Sequence, residues 1–208
     1  MRKLYLSLLS MLVAAAAFAT NVTFKVDMTG QTVNGAGVHV AGSFQGWDPS
    51  ATVLTDEGNG IWSVTLNVNP GYYEYKFVNG AQWGNDESPG QKCNINGNRA
   101  ISVGSTDVVL NTVPFGGCEG EAYVLFQVSL KNQSLILPAG VHVAGNFQSE
   151  AGFPNDWTPG DTRLYDNGDS IFKFVTQLPA GSYEYKFLNG NSWGDDESVP
   201  SACATNNN

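Results

Sequence analysis

Short stretches of alternating apolar and polar residues recur along this chain. Val22, Phe24, Val26 and Met28 alternate with polar residues, and the stretch 62–68 alternates in the same way. A period of two over such short stretches predicts half-buried antiparallel strands. Clusters of Gly, Asn, Pro and Asp separate the stretches and predict turns, because these residues accept positive φ or preset a turn. No window after residue 19 has a clear helical period, so we predict an all-β protein.

The chain also contains an internal repeat. Residues 38–45 (VHVAGSFQ) return as 141–148 (VHVAGNFQ), and residues 73–80 (YEYKFVNG) return as 183–190 (YEYKFLNG). The offset grows from 103 to 110 residues because seven residues, Ser149–Asn155, are inserted in the second repeat. Two units of this size and pattern predict two tandem immunoglobulin-like (early-set type) β-sandwiches.

We place the first sandwich at residues 20–105, a linker at 106–120 and the second sandwich at 121–208. The first repeat continues after Asn98 with an apolar alternation at 99–103, which we interpret as its closing strand. The second repeat stops at Asn208, the residue that corresponds to Asn98. We therefore expect that the chain is a fragment truncated before its last strand. The alternative is a second sandwich that lacks an edge strand, which would leave an unpaired edge.

The first nineteen residues have the pattern of a secretory signal peptide. Arg2 and Lys3 are followed by an apolar stretch up to Phe18, and Ala17-Phe18-Ala19 has the small residues of a cleavage site. The apolar stretch is short for a membrane anchor, and no second one follows. We predict a signal peptide at 1–19 and export to the periplasm or the extracellular space, with no membrane attachment.

The charge of the chain narrows the choice of partner. The formal net charge is −9, and removal of the signal peptide would take away Arg2 and Lys3 but no acidic residue, giving −11. Such a chain is repelled by nucleic acids and by anionic membrane surfaces. The negative charge does not exclude the binding of neutral ligands.

Three cysteines in an exported protein allow one disulfide. Cys93 precedes the closing strand of the first repeat and Cys118 follows it, so we predict a Cys93–Cys118 bond that ties the linker to the first sandwich. Cys203 is then left without a partner, which favours the fragment interpretation.

Two tryptophans in each repeat lie where the pattern gives no reason for burial. Trp47 and Trp83 stand among Gly, Gln, Asp and Asn, and Trp157 and Trp193 are their equivalents. A predicted strand lies between Trp47 and Trp83 in the sequence. Tyr73, Tyr75 and Phe77 share its core-facing side, so Tyr72, Glu74 and Lys76 face outward. The alternative is that the tryptophans are partly buried loop anchors.

These ordered motifs, found twice, resemble the glycogen-binding domain of AMP-activated protein kinase and the family 48 carbohydrate-binding modules, with the starch-binding family 20 as a near relation. The resemblance spans nearly all of 21–103 and 121–208. It implies that two tryptophans, a lysine and an asparagine hold an α-glucan. The matching positions are Trp47, Lys76, Trp83 and Asn98 in the first repeat and Trp157, Lys186, Trp193 and Asn208 in the second. Asn94 and Asn96 compete with Asn98, and the inserted residues could displace Trp157.

The chemistry of sugars agrees with that set. A glucose ring has C–H groups on its faces and hydroxyls at its rim, so a site needs flat apolar platforms and a few fixed hydrogen-bonding groups. Two indoles set at an angle can follow a curved α-1,4 chain, whereas a flat row of rings suits straight β-linked chains. Lys and Asn supply hydrogen bonds to the rim.

Other polar residues are of the types that form metal or catalytic sites. His39 and His142 are single histidines in their repeats, and we interpret them as structural rather than metal ligands. The acidic residues at 86–87 and 195–197 are neighbours in sequence and point to opposite faces of a strand, unlike the separated carboxylates of a glycosidase. Residues 166–169 lack the full ligand spacing of a calcium loop. We predict no catalytic residue, metal or cofactor.

The sequence thus predicts a non-enzymatic, tandem α-glucan-binding protein, whose parent chain could carry a linked amylase-type or other secreted catalytic domain, or a sorting domain. A structural or adhesive spacer without sugar binding is the alternative. Exposed tryptophans that face one another favour binding, and tryptophans folded into the core favour the spacer. An enzyme would need a catalytic domain outside this chain.

Overall fold

The computed structural model describes residues 19–206, and the predicted signal peptide and Asn208 lie outside that range, apart from Ala19. Within it the chain is all-β, as predicted, with thirteen strands. The first repeat holds β1 (Thr20–Asp27), β2 (Val38–Gly42), β3 (Thr55–Gly58), β4 (Ile61–Val68), β5 (Gly71–Asn79) and β6 (Arg99–Val103). The others are β7 (Val108–Val109), β8 (Val113–Pro114), β9 (Ala122–Ser129), β10 (Val141–Gly145), β11 (Arg163–Asp166), β12 (Ile171–Leu178) and β13 (Tyr185–Asn189). No helix in the described part is both long and apolar enough to cross a membrane.

The first repeat is a sandwich of two sheets. One sheet has the order β3-β4-β1-β7, and the other has the order β2-β5-β6. The predicted inward residues of β1 are fully buried, because Val22, Phe24 and Val26 have no exposed surface. They pack against Tyr75 and Phe77 of β5, which confirms the core-facing aromatic side of that strand.

Residues 106–120, predicted as a linker, are packed onto the first repeat. β7 and β8 pair in parallel with β1, so this segment extends the first sheet. The predicted Cys93–Cys118 disulfide is present, with a Cα–Cα distance of 5.5 Å. It lies against Gly90, where an added Cβ would be 2.7 Å from Sγ of Cys118.

A buried ion pair joins this segment to the sheet. The guanidinium of Arg99 donates from Nε and Nη2 to the two carboxylate oxygens of Glu87, at 2.7 Å each, and both side chains have no exposed surface. Glu87 also accepts from the backbone N–H groups of Phe77 and Gly116. A charge at this depth is tolerated because each carboxylate oxygen has two donors.

The second repeat has one continuous five-stranded sheet of order β13-β10-β11-β12-β9. Its strands follow the order of β1 to β5, and β9 pairs with β12 over eight residues as β1 pairs with β4. Phe126, Phe147 and Phe174 form the centre of its core. Within residues 19–206 no strand corresponds to β6.

The two repeats touch along the outer face of β5 and β6. Tyr72, which was expected to face outward, does so but is buried there beside Ala100 and Val175. The ammonium of Lys173 lies 5.5 Å from the centroid of the Tyr72 ring. The backbone N–H of Val175 donates to Oγ of Ser102 at 2.9 Å. One end of this face of the first repeat is therefore covered by the second.

Because only the first repeat has the buried ion pair, we expect the same Glu→Gln substitution to lower the free energy of unfolding more in the first repeat than in the second. Glu87→Gln leaves the Arg99 guanidinium buried without its counter-charge and should lower the free energy of unfolding by about 3–5 kcal/mol. Glu197→Gln, at the equivalent but exposed position, should change it by less than ~0.5 kcal/mol. Urea unfolding of the full chain measures both, and equal effects would contradict the role of the pair.

Candidate functional site

Two pairs of tryptophans lie at the surface, one pair in each repeat. The ring centroids of Trp47 and Trp83 lie 6.3 Å apart and their planes are inclined by 46°. Trp157 and Trp193 lie 6.3 Å apart with an inclination of 40°. Trp83 is 47% exposed and Trp193 is 51% exposed, while their partners are half-buried. Each repeat thus has an inclined pair of indoles open to solvent.

The loop that carries the first tryptophan of each pair leaves the sheet at a crowded glycine. A Cβ at Gly42 would lie 2.8 Å from the carbonyl oxygen of Glu74 and 2.9 Å from Cβ of Tyr75, so only glycine fits there. Trp47 itself has a φ of 63°, and its backbone N–H donates to the carbonyl oxygen of Gly42 at 3.0 Å. A bulky residue at positive φ costs about 1–3 kcal/mol, and such conformations concentrate at ligand sites.

The second repeat has the same crowding and the same backbone. A Cβ at Gly145 would meet the oxygen of Glu184 and Cβ of Tyr185. Trp157 has a φ of 54° and donates to the oxygen of Gly145 at 3.1 Å. The Trp47 and Trp157 loops therefore begin in the same conformation.

A glutamine braces this loop in both repeats. The side chain of Gln45 accepts from the N–H of Asp48 and donates to its oxygen, at 2.7 Å each. Gln148 makes the same two bonds with Thr158, both at 2.9 Å. In each case the glutamine holds the residue that follows the tryptophan.

The seven inserted residues do not displace Trp157 from its partner, although the sequence allowed for this. The insertion closes on itself, because the N–H and hydroxyl of Ser149 donate to one oxygen of Asp156 at 2.7 and 2.8 Å. Phe153 of the insertion packs on Phe174 of the core, with ring centroids 6.2 Å apart. The extra length therefore forms a side loop before the tryptophan.

A carboxylate links the predicted lysine to the second tryptophan. Nζ of Lys76 donates to Oδ2 of Asp86 at 2.8 Å, and Oδ1 of Asp86 accepts from the N–H of Gly84, the residue after Trp83. Lys186 and Asp196 repeat this link at 3.1 Å, with Gly194 as the backbone donor. Each lysine and aspartate side chain keeps about a fifth of its surface exposed.

The electrostatics of the link follow from these contacts. The hydrogen bond from Lys76 is the main reason that the pKa of Asp86 lies below its usual value. The pKa of Asp196 is lowered too, first by the N–H of Gly194 and then by Lys186. Both carboxylates therefore remain charged in mildly acidic solution, and both lysines remain held.

Glu74 binds Asn96 and Asn98 on the same face of the sheet as Lys76. Its carboxylate accepts from Nδ2 of Asn98 at 2.8 Å and from Nδ2 of Asn96 at 3.2 Å. Glu74 and Lys76 are two residues apart on β5, so their side chains leave the same side of the sheet. In the second repeat Nδ2 of Asn206 donates to Glu184, and Asn96 and Asn206 share a φ of 53°. Glu74 thus adds the predicted Asn98 and its competitor Asn96 to this face.

We call Trp47, Lys76, Trp83, Glu74, Asp86, Asn96 and Asn98 the first aromatic face, and Trp157, Lys186, Trp193, Glu184, Asp196 and Asn206 the second aromatic face. The supporting roles of Gln45, Glu74 and Asp86 were missed from the sequence. The sequence did place Glu74 on the outward face of the strand beside Lys76, but it suggested only a catalytic carboxylate for Asp86.

The acidic candidates and His142 have structural partners, whereas Nδ1 of the buried His39 has no hydrogen-bond partner among the described residues. Asp86 pairs with Lys76 and Glu87 with Arg99, so the two neighbouring carboxylates occupy separate environments. Oδ1 of Asp166 accepts from three successive backbone N–H groups of its turn. His142 is buried and hydrogen-bonded to the oxygen of Gly190 at 2.7 Å, and burial lowers its pKa. Among residues 19–206 no three His, Cys, Asp or Glu side chains are grouped to hold a metal ion.

Two family models match the chain, each on one repeat. Residues 20–107 match the model described as the glycogen recognition site of AMP-activated protein kinase. Residues 140–208 match the pullulanase X25 domain. These matches support a carbohydrate-binding module. Neither model covers half of the chain.

The relatives that the chain resembles are named as amylopullulanases and an alpha-amylase. An amylopullulanase of Thermoanaerobacterium saccharolyticum is 25% identical over 166 residues, which is 72% of this chain and 11% of the relative. An alpha-amylase of Niallia circulans is 34% identical over 98 residues, covering 46% and 8%. An amylopullulanase of Thermoanaerobacter thermohydrosulfuricus is 38% identical over 96 residues, covering 43% and 6%. The chain spans only 6–11% of the length of these curated relatives.

We expect that replacing Lys76 changes the carboxyl pKa of Asp86 by a measurable amount. In Lys76→Gln the carboxyl pKa of Asp86 should rise toward its usual value of 3.8, because the main stabilising donor of the anion is lost. The ion pair of the unaltered protein should be present above that value and be lost as the pH falls through the lowered pKa. Carbon-detected NMR titration of the side chain measures both forms.

Lys92→Gln is the control for this titration, because the Lys92 ammonium donates to the oxygen of Gly120 instead. This variant should leave the Asp86 pKa unchanged. An Asp86 pKa that is the same in Lys76→Gln as in the unaltered protein would contradict the link.

Proposed function

We propose that this chain binds α-glucan polysaccharide of the starch and glycogen type through two tandem sandwich modules, one aromatic face on each. The observation that carries the proposal is the recurrence of the indole pair at 6.3 Å with inclinations of 46° and 40° in loops of different length. A fold has no packing reason to hold an exposed ring and a half-buried ring in one fixed relation twice. A ligand with flat apolar faces and a curved chain supplies that reason.

The polar groups beside the indoles complete the proposed contact. Lys76 and Lys186 have two donors left after their bond to the aspartate, since an ammonium carries three. The amides of Asn96 and Asn98, held by Glu74, offer acceptors and a remaining N–H donor for hydroxyls at the rim of the sugar. Because these groups are already oriented, little side-chain entropy is lost on binding.

The function is proposed as non-catalytic and as accessory to a secreted amylolytic enzyme in a longer parent chain. The names of the relatives and their greater length support this setting. Two weak sites on one chain raise the avidity for a polymer by roughly 10²–10⁴ if both engage it. The rival interpretation, a spacer without sugar binding, would not require the exposed indoles.

Native electrophoresis through gels that contain amylopectin, glycogen or a cellulose derivative tests the proposal. The unaltered protein should be retarded by the two α-glucans alone. Trp47→Ala/Trp83→Ala and Trp157→Ala/Trp193→Ala should each weaken retardation, with a loss of affinity of at least about tenfold per face, as expected for aromatic hot spots.

Trp62→Phe is the matched control, because Trp62 packs against the core of the first repeat and belongs to neither face. It should keep the retardation. Unchanged mobility of the folded, unaltered protein in every gel would refute glucan binding and leave the spacer interpretation.

A further inference from the structure

Two carboxylates hold the polar groups of the first aromatic face. Asp86 bonds to Lys76 at 2.8 Å. Glu74 accepts from the side-chain amides of Asn98 and Asn96, at 2.8 and 3.2 Å. The amides therefore take their positions from the Glu74 carboxylate, and the position of that carboxylate depends on its other contacts.

The Glu74 carboxylate has a third side-chain donor, which is Tyr72. The hydroxyl of Tyr72 donates to Oε1 of Glu74 at 3.0 Å, and the same oxygen accepts from Asn96. A hydroxyl that donates to a carboxylate makes a charge-assisted hydrogen bond, which is stronger than one between neutral groups. Burial raises the pKa of Tyr72, so its hydroxyl keeps its proton and remains the donor. Tyr72 therefore restricts where the Glu74 carboxylate can lie.

The second repeat covers the Tyr72 ring. Tyr72 is only 1% exposed and clusters with Val175 of β12. The ammonium of Lys173, also on β12, lies 5.5 Å from the centroid of the ring. The backbone N–H of Val175 donates to Oγ of Ser102 at 2.9 Å, and Ser102 is the residue that pairs with Tyr72 across β5 and β6. These contacts hold the ring in the orientation that places its hydroxyl on Glu74.

The second repeat has a different residue at the position of Tyr72. The motif that begins at Tyr73 returns at Tyr183, so Tyr72 corresponds to Ser182, which is exposed. A serine has no ring that a neighbouring module could cover. The second aromatic face still has an asparagine bonded to its glutamate. The two faces therefore offer a comparison between a glutamate with a covered tyrosine beside it and one with a serine.

We propose that Tyr72 is a positioning residue for the first aromatic face, and that the docked second repeat holds it in place. The inference rests on the proposed α-glucan binding and makes one face depend on the other repeat. The second repeat fixes Tyr72, Tyr72 fixes the Glu74 carboxylate, and Glu74 presents the amides of Asn96 and Asn98 to the sugar. Because such coupling is reciprocal, sugar on the first face should also stabilise the contact between the repeats.

Isothermal titration of maltoheptaose into the Trp157→Ala/Trp193→Ala protein isolates the first face. In this background Tyr72→Phe keeps the ring and removes the donor, and should weaken binding by about threefold to tenfold. Val175→Ser keeps every residue of the first face and the Tyr72 hydroxyl but loosens the cover. It should weaken binding by about twofold or more.

Two further measurements separate positioning from packing alone. The side-chain amide NMR signals of Asn96 and Asn98 should shift in both variants before any sugar is added. In the unaltered chain, saturation with maltoheptaose should slow hydrogen exchange at the backbone N–H of Val175. The Trp47→Ala/Trp83→Ala protein should show no such slowing. A tyrosine that only packed against the second repeat would leave all these signals unchanged.

Ser182→Ala in the Trp47→Ala/Trp83→Ala background is the matched control and should leave the affinity of the second face unchanged. A loss there equal to that of Tyr72→Phe would overturn the role of the covered ring. Unchanged affinity in both Tyr72→Phe and Val175→Ser would overturn the inference while glucan binding stands. Absence of binding by the unaltered chain would overturn the proposed function and this inference with it.

Discussion

In each repeat one carboxylate joins the lysine of the aromatic face to the turn that carries the more exposed indole. Asp86 bonds to Lys76 on a strand and to the backbone beside Trp83 in a turn, and Asp196 does the same in the second repeat. The lysine and the exposed indole are therefore fixed to each other through a charge-assisted contact. The other indole is positioned separately, by a crowded glycine, a positive φ and a braced glutamine.

Both repeats have these local contacts. They differ in the strands that complete the surrounding sandwich. In the first repeat β6, the segment that carries β7 and β8, and the disulfide enclose Glu87 and Arg99. In the second repeat Glu197 and Tyr185 stay open. The indole pair is nearly the same in both, so its geometry comes from nearby loop contacts and does not require the sixth strand.

Much of the fold followed from local patterns in the sequence. The alternation in β1 and β5 predicted which side chains enter the core, and the positions of Cys93 and Cys118 before and after the closing strand predicted their bond. The burial of Tyr72 was missed, because it depends on Val175 of the other repeat, more than a hundred residues away in sequence. The parts played by Gln45 and Glu74 were missed for a similar reason, since a period of two gives the side of a strand but not the partner of a side chain.

The central claim is that Trp47, Trp83, Trp157 and Trp193 contact an α-glucan. Two-dimensional ¹H–¹⁵N NMR resolves the five indole N–H groups of the chain, and maltoheptaose can be titrated against them, with cellohexaose as the straight-chain control. The account predicts that Trp47, Trp83, Trp157 and Trp193 shift with maltoheptaose and not with cellohexaose, while Trp62 stays in place. Indole signals that do not move with maltoheptaose, or a shift confined to Trp62, would contradict it.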